Sequence, residues 1–158
     1  NWPRDKAVFK PLDTEEVCYD NSIHYTDSLL GRVFAMLETR RASVMYFSDH
    51  GLEYDPTKEH AYFHGGIKPS QQAYHVPMCI WYSPALGEHV DRQTVNSVFS
   101  TAYNDYLINA WMGVTRPAQP KTPEEVITRW QVKSDVFHAN HNVFDYNVLR
   151  KNFYKPLE

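Results

Sequence analysis

Cysteine, glycine and clustered basic charge are all scarce in this chain. Among 158 residues there are two cysteines, Cys18 and Cys79, and six glycines. Two thiols are too few for a small disulfide-built scaffold, and spacing alone leaves a Cys18–Cys79 bridge open. Lysine and arginine form no run and the formal charge is −3, so the basic footprint that a phosphate backbone demands is missing and no nucleic-acid partner is expected. No apolar stretch nears the ~18 residues of a membrane-crossing helix, and there is no secretory apolar core. A Gly-rich phosphate loop and a paired-cysteine zinc motif are likewise absent. The chain opens as Asn1-Trp2-Pro3-Arg4 rather than on methionine, which is expected of a piece of a longer product.

What is there is enough to fold. Hydrophobic residues make up 42% and aromatics 15%, led by eleven Tyr and eight Phe. That supports a core and excludes a disordered chain, and the length is that of one ordinary domain.

Pro3 and Pro11 punctuate an irregular lead-in over 1–12. Asp13 then reads as an N-cap, with Glu15 and Glu16 favourable in a first turn. Val17, Ile23, Leu30, Val33, Phe34 and Leu37 recur at near-helical spacing to about Glu38, where Arg40 and Arg41 suit a helix C-terminus. Ala42–Phe47 is almost wholly apolar and predicts a strand covered on both faces, hence a central parallel one. Residues 51–75 show no sustained period and read as a long functional loop. Val76–Tyr82 predicts a second buried strand with Pro77 near its start and Cys79 as a small buried hydrophobe. Residues 84–93 read as a connection. Thr94 to Met112, closed by Gly113, reads as an amphipathic helix. Thr122-Pro123-Glu124-Glu125 is a capping box that opens a short helix, and the remainder to Glu158 reads as strand and coil. Alternating helices and strands predict an α/β layered domain with a mostly parallel sheet flanked by helices.

The chemistry concentrates at Ser48-Asp49-His50-Gly51, directly after the first strand, where open α/β sheets bind ligands. A hard carboxylate oxygen and a borderline imidazole nitrogen on one turn suit zinc or manganese, and Gly51 permits the sharp turn. The alternative is a turn capped by the Asp. His60 and His64 follow on the same loop; either could return to a metal or an anionic substrate, or simply stand in solvent. Asp20, His24 and Asp27 share one side of the first helix, as a metal stripe or a hydrogen-bonded polar face. His138 and His141 form a pair near the end. Thr14, Ser22, Thr26 and Ser28 carry hydroxyls outside any nucleophile-elbow context.

Four segments in order resemble one family: Tyr19-Asp20-Asn21-Ser22-Ile23-His24-Tyr25-Thr26-Asp27, Val44–Gly51, His64-Gly65, and Val76-Pro77-Met78-Cys79-Ile80-Trp81, with Arg4…Phe9-Lys10-Pro11 ahead of them. They resemble the C-terminal half of the catalytic domain of phosphoethanolamine transferases, in the sulfatase and alkaline-phosphatase superfamily, most strongly over 1–112. The resemblance implies an alkaline-phosphatase-like layered domain over 1–158, incomplete as a fragment. It implies Asp49 and His50 as metal ligands, Zn2+ as cofactor (Mn2+ or another divalent cation being the alternatives), and His64 as a substrate-binding or second-zinc residue. The nucleophilic threonine falls upstream, so no catalytic nucleophile is assigned here and the isolated piece is expected to be inactive. The implied reaction moves phosphoethanolamine from phosphatidylethanolamine to lipid A or an envelope glycan, at the inner membrane with the catalytic domain in the periplasm. Membrane attachment would lie in an N-terminal region outside this sequence. Another sulfatase-superfamily hydrolase, a phosphoglycerol transferase or a non-catalytic binding module are the rivals, and an open sheet edge predicts self-association. The chain departs from the family where Leu52, not Glu, follows Asp49-His50-Gly51; Glu53 comes one residue later. It also lacks the family's cysteine pair, so Cys18 is given no disulfide.

Overall fold

In a computed structural model of the chain, the residues described are 3–65, 69–87, 93–96, 98–131, 134–138 and 141–151. They form two compact units, 1–92 with 151–158 and 93–150, each taken by itself below.

The first unit is organised by α1 (Glu15–Leu37). Thr14, rather than Asp13, is the N-cap: its backbone is extended and its Oγ1 accepts from the Val17 amide at 3.2 Å, satisfying one of the donors a helix start leaves open. Glu15 and Glu16 occupy the first turn as their charge favours. Ile23 and Val33, expected on the buried face, are exposed. The helix instead buries Val17, Asp20 and Asn21 near its start and stacks Phe34 on Trp81 near its end, rings 4.9 Å apart. One uniform apolar stripe is not what this helix needs.

Two strands follow, β1 (Ser43–Phe47) and, beyond the intervening residues, β4 (Met78–Tyr82), paired from Ser43↔Tyr82 to Phe47↔Met78. The pairing is antiparallel, which corrects the mostly parallel sheet read from the sequence. A parallel pair needs a crossover of a dozen or more residues, usually helical. Among its described residues the connection here holds only a hairpin, β2 (Glu53–Tyr54) with β3 (Tyr62–Phe63), and the four-residue α2 (Gln71–Tyr74). The stretch expected as an unstructured loop is therefore built. Pro77 precedes β4, as its missing N–H requires. All β1 residues are half-buried, not enclosed on both faces. Cys79 is exposed, contrary to expectation, because apolar neighbours along a strand say nothing about what packs over each position. Cys18 and Cys79 are both free.

Ser83 closes the sheet. Fully buried, its hydroxyl donates to the Arg40 carbonyl at 2.5 Å and accepts from the Ala42 amide at 3.1 Å, while its own amide bonds back to Ala42 O at 2.9 Å. Asn21 does the same for the lead-in: Oδ1 accepts from the Val8 and Phe9 amides at 2.7 and 3.1 Å, and Nδ2 donates to Phe9 O and Val17 O at 2.9 and 2.8 Å. Buried polar residues in this unit, among them Asp20, Asn21, Glu53, Ser70, Gln71 and Ser83, outnumber the buried apolar Val17 and Ala61. Satisfied hydrogen bonds, costly to leave unmade, carry much of its specificity.

The second unit packs α3 (Asn104–Trp111) on α4 (Pro123–Trp130), burying Leu107, Ala110 and Val126. Trp130 stacks with Tyr103, ring centroids 5.4 Å apart, and meets the tilted ring of Tyr106 at 4.6 Å. The helix expected from Thr94 starts later, after a 3-10 turn at Thr101–Tyr103. Ser100 is the reason: its oxygen accepts from the Ala102 amide at 3.4 Å and its hydroxyl donates to Asp135 O at 2.8 Å, a cap tied to a distant strand. Thr122 caps α4 through the Glu125 amide at 3.2 Å, as its sequence predicts. A hairpin of β5 (Asp135–Phe137) and β6 (Val143–Asp145) completes the unit.

Candidate functional site

The turn after β1 is built by side chains bonding its own backbone. Ser48 Oγ donates to His50 O at 2.9 Å, and Asp49 Oδ1 accepts from the His50 amide at 3.1 Å. Gly51 then passes so close to α2 that its amide donates to Ala73 O at 2.8 Å, and a Cβ at this position would collide with the Gln72 carbonyl oxygen. Glycine is required here by the close approach rather than by its dihedral freedom.

This turn presents Asp49 and His50 to solvent, with side-chain exposures of 86% and 48%. His50 Nδ1 lies 2.8 Å from Gly51 O. A carbonyl only accepts, so this contact is a hydrogen bond when Nδ1 carries a proton. Asp49 Oδ2 stands 3.6 Å from His50 Nε2. His64, just past β3, comes back to the same place: its ring meets the His50 ring edge-on, centroids 4.6 Å apart. Asp49, His50 and His64 are thus gathered at the carboxyl end of β1.

In kind, these donors fit a metal: an accessible carboxylate oxygen and an imidazole nitrogen whose other nitrogen is held by a carbonyl, the usual support for a ligating histidine. In number they supply part of a shell, since catalytic zinc takes three protein ligands. Among the described residues, no group of three or more His, Cys, Asp or Glu is placed to hold a metal by itself.

The other candidates are employed elsewhere. His60 Nδ1 bonds Glu15 Oε1 at 2.8 Å, and Glu15 Oε2 accepts from the Ala61 and Tyr62 amides at 2.7 and 3.3 Å. The hydrogen bond to Glu15, with the charges of Glu15 and Glu59, holds the His60 imidazole above its usual range; the bond from His60 and those amides hold the Glu15 carboxyl below its own. Asp20 is buried while His24 and Asp27 are exposed, so the helix stripe does not converge. His138 and His141 sit at the β5–β6 turn, where the His141 amide bonds His138 O at 2.9 Å. Thr14 is a cap, and Ser22 and Thr26 bond helix carbonyls at 2.7 and 3.0 Å.

The sequence marked Glu53 only as a displaced acid and gave it no role. It is 1% exposed, and its carboxylate accepts from the Ser70 amide at 2.7 Å and the Ser70 hydroxyl at 2.6 Å. Burial, then the Glu53 charge, pushes the Tyr74 phenol above its usual range. The one available signal was the displaced acid itself, one residue late after Asp49-His50-Gly51.

The Sulfatase family pattern matches residues 2–117. The chain is 68% identical over 152 residues to "Putative transferase YhbX" of Escherichia coli (strain K12), covering 96% of this chain and 28% of that protein. It is 33% identical over 95 residues to the Kdo(2)-lipid A phosphoethanolamine 7''-transferase of Salmonella typhimurium, covering 52% of this chain and 16% of that protein. It is 38% identical over 106 residues to phosphoethanolamine transferase EptA of Helicobacter pylori, covering 63% of this chain and 20% of that protein. The chain therefore spans 28% of the length of YhbX and less of the other two. No solved structure matches it significantly.

Proposed function

The chain belongs to the sulfatase family, whose fold is alkaline-phosphatase-like, and on that premise we propose that it forms part of a metal-dependent phosphoethanolamine transferase. The observation that carries this reading is the gathering of Asp49, His50 and His64 at the end of β1, with His50 Nδ1 against the Gly51 carbonyl. The names of two relatives, both phosphoethanolamine transferases, supply the group transferred.

Asp49 and His50 are the residues that would hold a divalent cation, zinc in the first place. Such an ion supplies a Lewis acid that activates an attacking hydroxyl and neutralises charge on a transferring phosphoryl group. His64, whose ring meets that of His50, would offer a hydrogen-bond donor to a phosphoryl oxygen. No residue of this chain is given the nucleophile's role, and the 158 residues by themselves are expected to be inactive. The donor proposed is phosphatidylethanolamine and the acceptor lipid A or an envelope glycan, which places the whole protein at the inner membrane with this part in the periplasm. No described helix is long and apolar enough to cross a membrane; the proposed attachment is N-terminal to these residues. The open edges of the β1–β4 pair would also let isolated copies self-associate.

The test is headgroup transfer by the whole protein from labelled phosphatidylethanolamine, run against sulfate and phosphate esters. Transfer that needs Asp49 and a divalent cation is the expected result. Preferential hydrolysis of a sulfate ester would move the protein to the sulfatases proper, and no turnover of any ester would leave a binding module.

A further inference from the structure

We infer that the Ser70–Tyr74 segment is a clasp that sets the tautomer of His50, with Glu53 and Ser70 as positioning residues; the inference rests on the metal-site reading above. Three consecutive residues downstream of His50 are each fastened to this one segment. Gly51 is seated on it through its amide and Ala73 O at 2.8 Å, with no room for a Cβ against Gln72 O. Leu52 O accepts from Gln72 Nε2 at 3.1 Å. Glu53 is buried and both its oxygens accept from Ser70, at 2.7 and 2.6 Å.

The consequence runs through one peptide plane. With its amide, its Cα and the two residues after it all fixed, the Gly51 carbonyl has one available direction. That direction brings it 2.8 Å from His50 Nδ1. A carbonyl only accepts, so this placement favours the Nδ1–H form of a neutral imidazole, with Nε2 left 3.6 Å from Asp49 Oδ2. In a histidine ligand the hydrogen bond of one nitrogen decides the state of the other. Ser70 Oγ bonds the Glu53 carboxylate and leaves its own helix uncapped by a side chain. A hydroxyl serving α2 alone would cap it; this one is spent on the clasp. A bond to an ionised acceptor is stronger than a neutral one, so this is the strand of the clasp whose loss is felt most.

The experiment reads the His50 tautomer by nitrogen NMR on protein carrying 15N-histidine, above the pH at which the ring is charged, and Co2+ affinity by titration. In the unaltered protein His50 should be the Nδ1–H form. Ser70→Ala should shift it toward the Nε2–H form and weaken Co2+ by about tenfold, with helical circular dichroism retained; Ser70→Thr, which keeps the hydroxyl, should restore both. Gly51→Ala should shift the tautomer the same way. If the protein binds no Co2+ while Ser70→Ala still shifts the tautomer, the metal reading falls and the clasp stands. An Nε2–H ring in the unaltered protein, or a folded Ser70→Ala variant with tautomer and affinity both unchanged, overturns the clasp.

Discussion

His64 meets His50 edge to face, the two rings inclined at 82° with centroids 4.6 Å apart. Hairpin register makes the contact. Glu53 pairs with Phe63, so the residue after Phe63 is returned to the level of the residues before Glu53, and His64 arrives beside His50. A slip of one residue would turn every side chain of so short a hairpin to its other face.

Replacing Asp49 by Ala removes the carboxylate oxygen of the proposed ligand pair. Transfer by the whole protein should fall by on the order of a hundredfold or more, with little change in thermal stability, since the side chain is mostly exposed. Headgroup-transfer rates alongside melting curves check it, and an undiminished rate would remove Asp49 from the site.

The Glu15–His60 pair should give stability a defined pH window. Glu15 is held below its ordinary 4.5, first by the His60 hydrogen bond. A lowered acid adds stability that is complete above pH 4.5 and is lost as pH falls through its folded value. His60 is held above its ordinary 6.5, first by the Glu15 hydrogen bond, and adds stability that is complete below pH 6.5 and is lost as pH rises through its folded value. Both contributions are whole between pH 4.5 and 6.5. The melting-temperature deficit of His60→Ala should therefore be greatest there and shrink on both sides. A deficit independent of pH would contradict the pairing.

Ser83→Ala should destabilise the first unit by about 1–3 kcal/mol, because the Arg40 carbonyl and the Ala42 amide both lose a buried partner. Urea unfolding followed by the fluorescence of Trp81 would report it.

Thr122→Ala should cost the second unit about 1 kcal/mol, the usual worth of a helix N-cap, and Thr122→Ser should recover most of that. The bond at stake is the one from the Glu125 amide at 3.2 Å. Equal stabilities for the Ala and Ser variants would deny the cap its role.

What the sequence made legible was local. Thr122-Pro123 announced α4, Pro77 marked the edge of β4, and the charged start and arginine-rich end of α1 bracketed it to within two residues. The family was legible too, through four ordered segments. Strand direction was not, because an apolar run records that a strand is covered and not which way its partner runs. The β2–β3 hairpin escaped because two-residue strands have no period to detect. The late start of α3 depends on Ser100 meeting Asp135 O, a contact far apart in sequence. Asp49, His50 and His64 were put forward from the sequence as candidates, and the structure brings them together; the burial of Glu53 was not legible, since an acid between two hydrophobes reads as surface until Ser70 is seen bonding it.

Asn21 leaves a mark on a different kind of observable. Among its described residues the lead-in ahead of α1 contains no strand and only one short 3-10 turn, so its amides would ordinarily exchange with solvent hydrogen almost freely. Two of them, at Val8 and Phe9, are held by a side chain that is 2% exposed. Those two protons can leave only when the first turns of α1 open to release Asn21. An irregular strap should therefore keep its deuterium clock with the helix it crosses, and its residues should melt as part of that helix rather than fray before it.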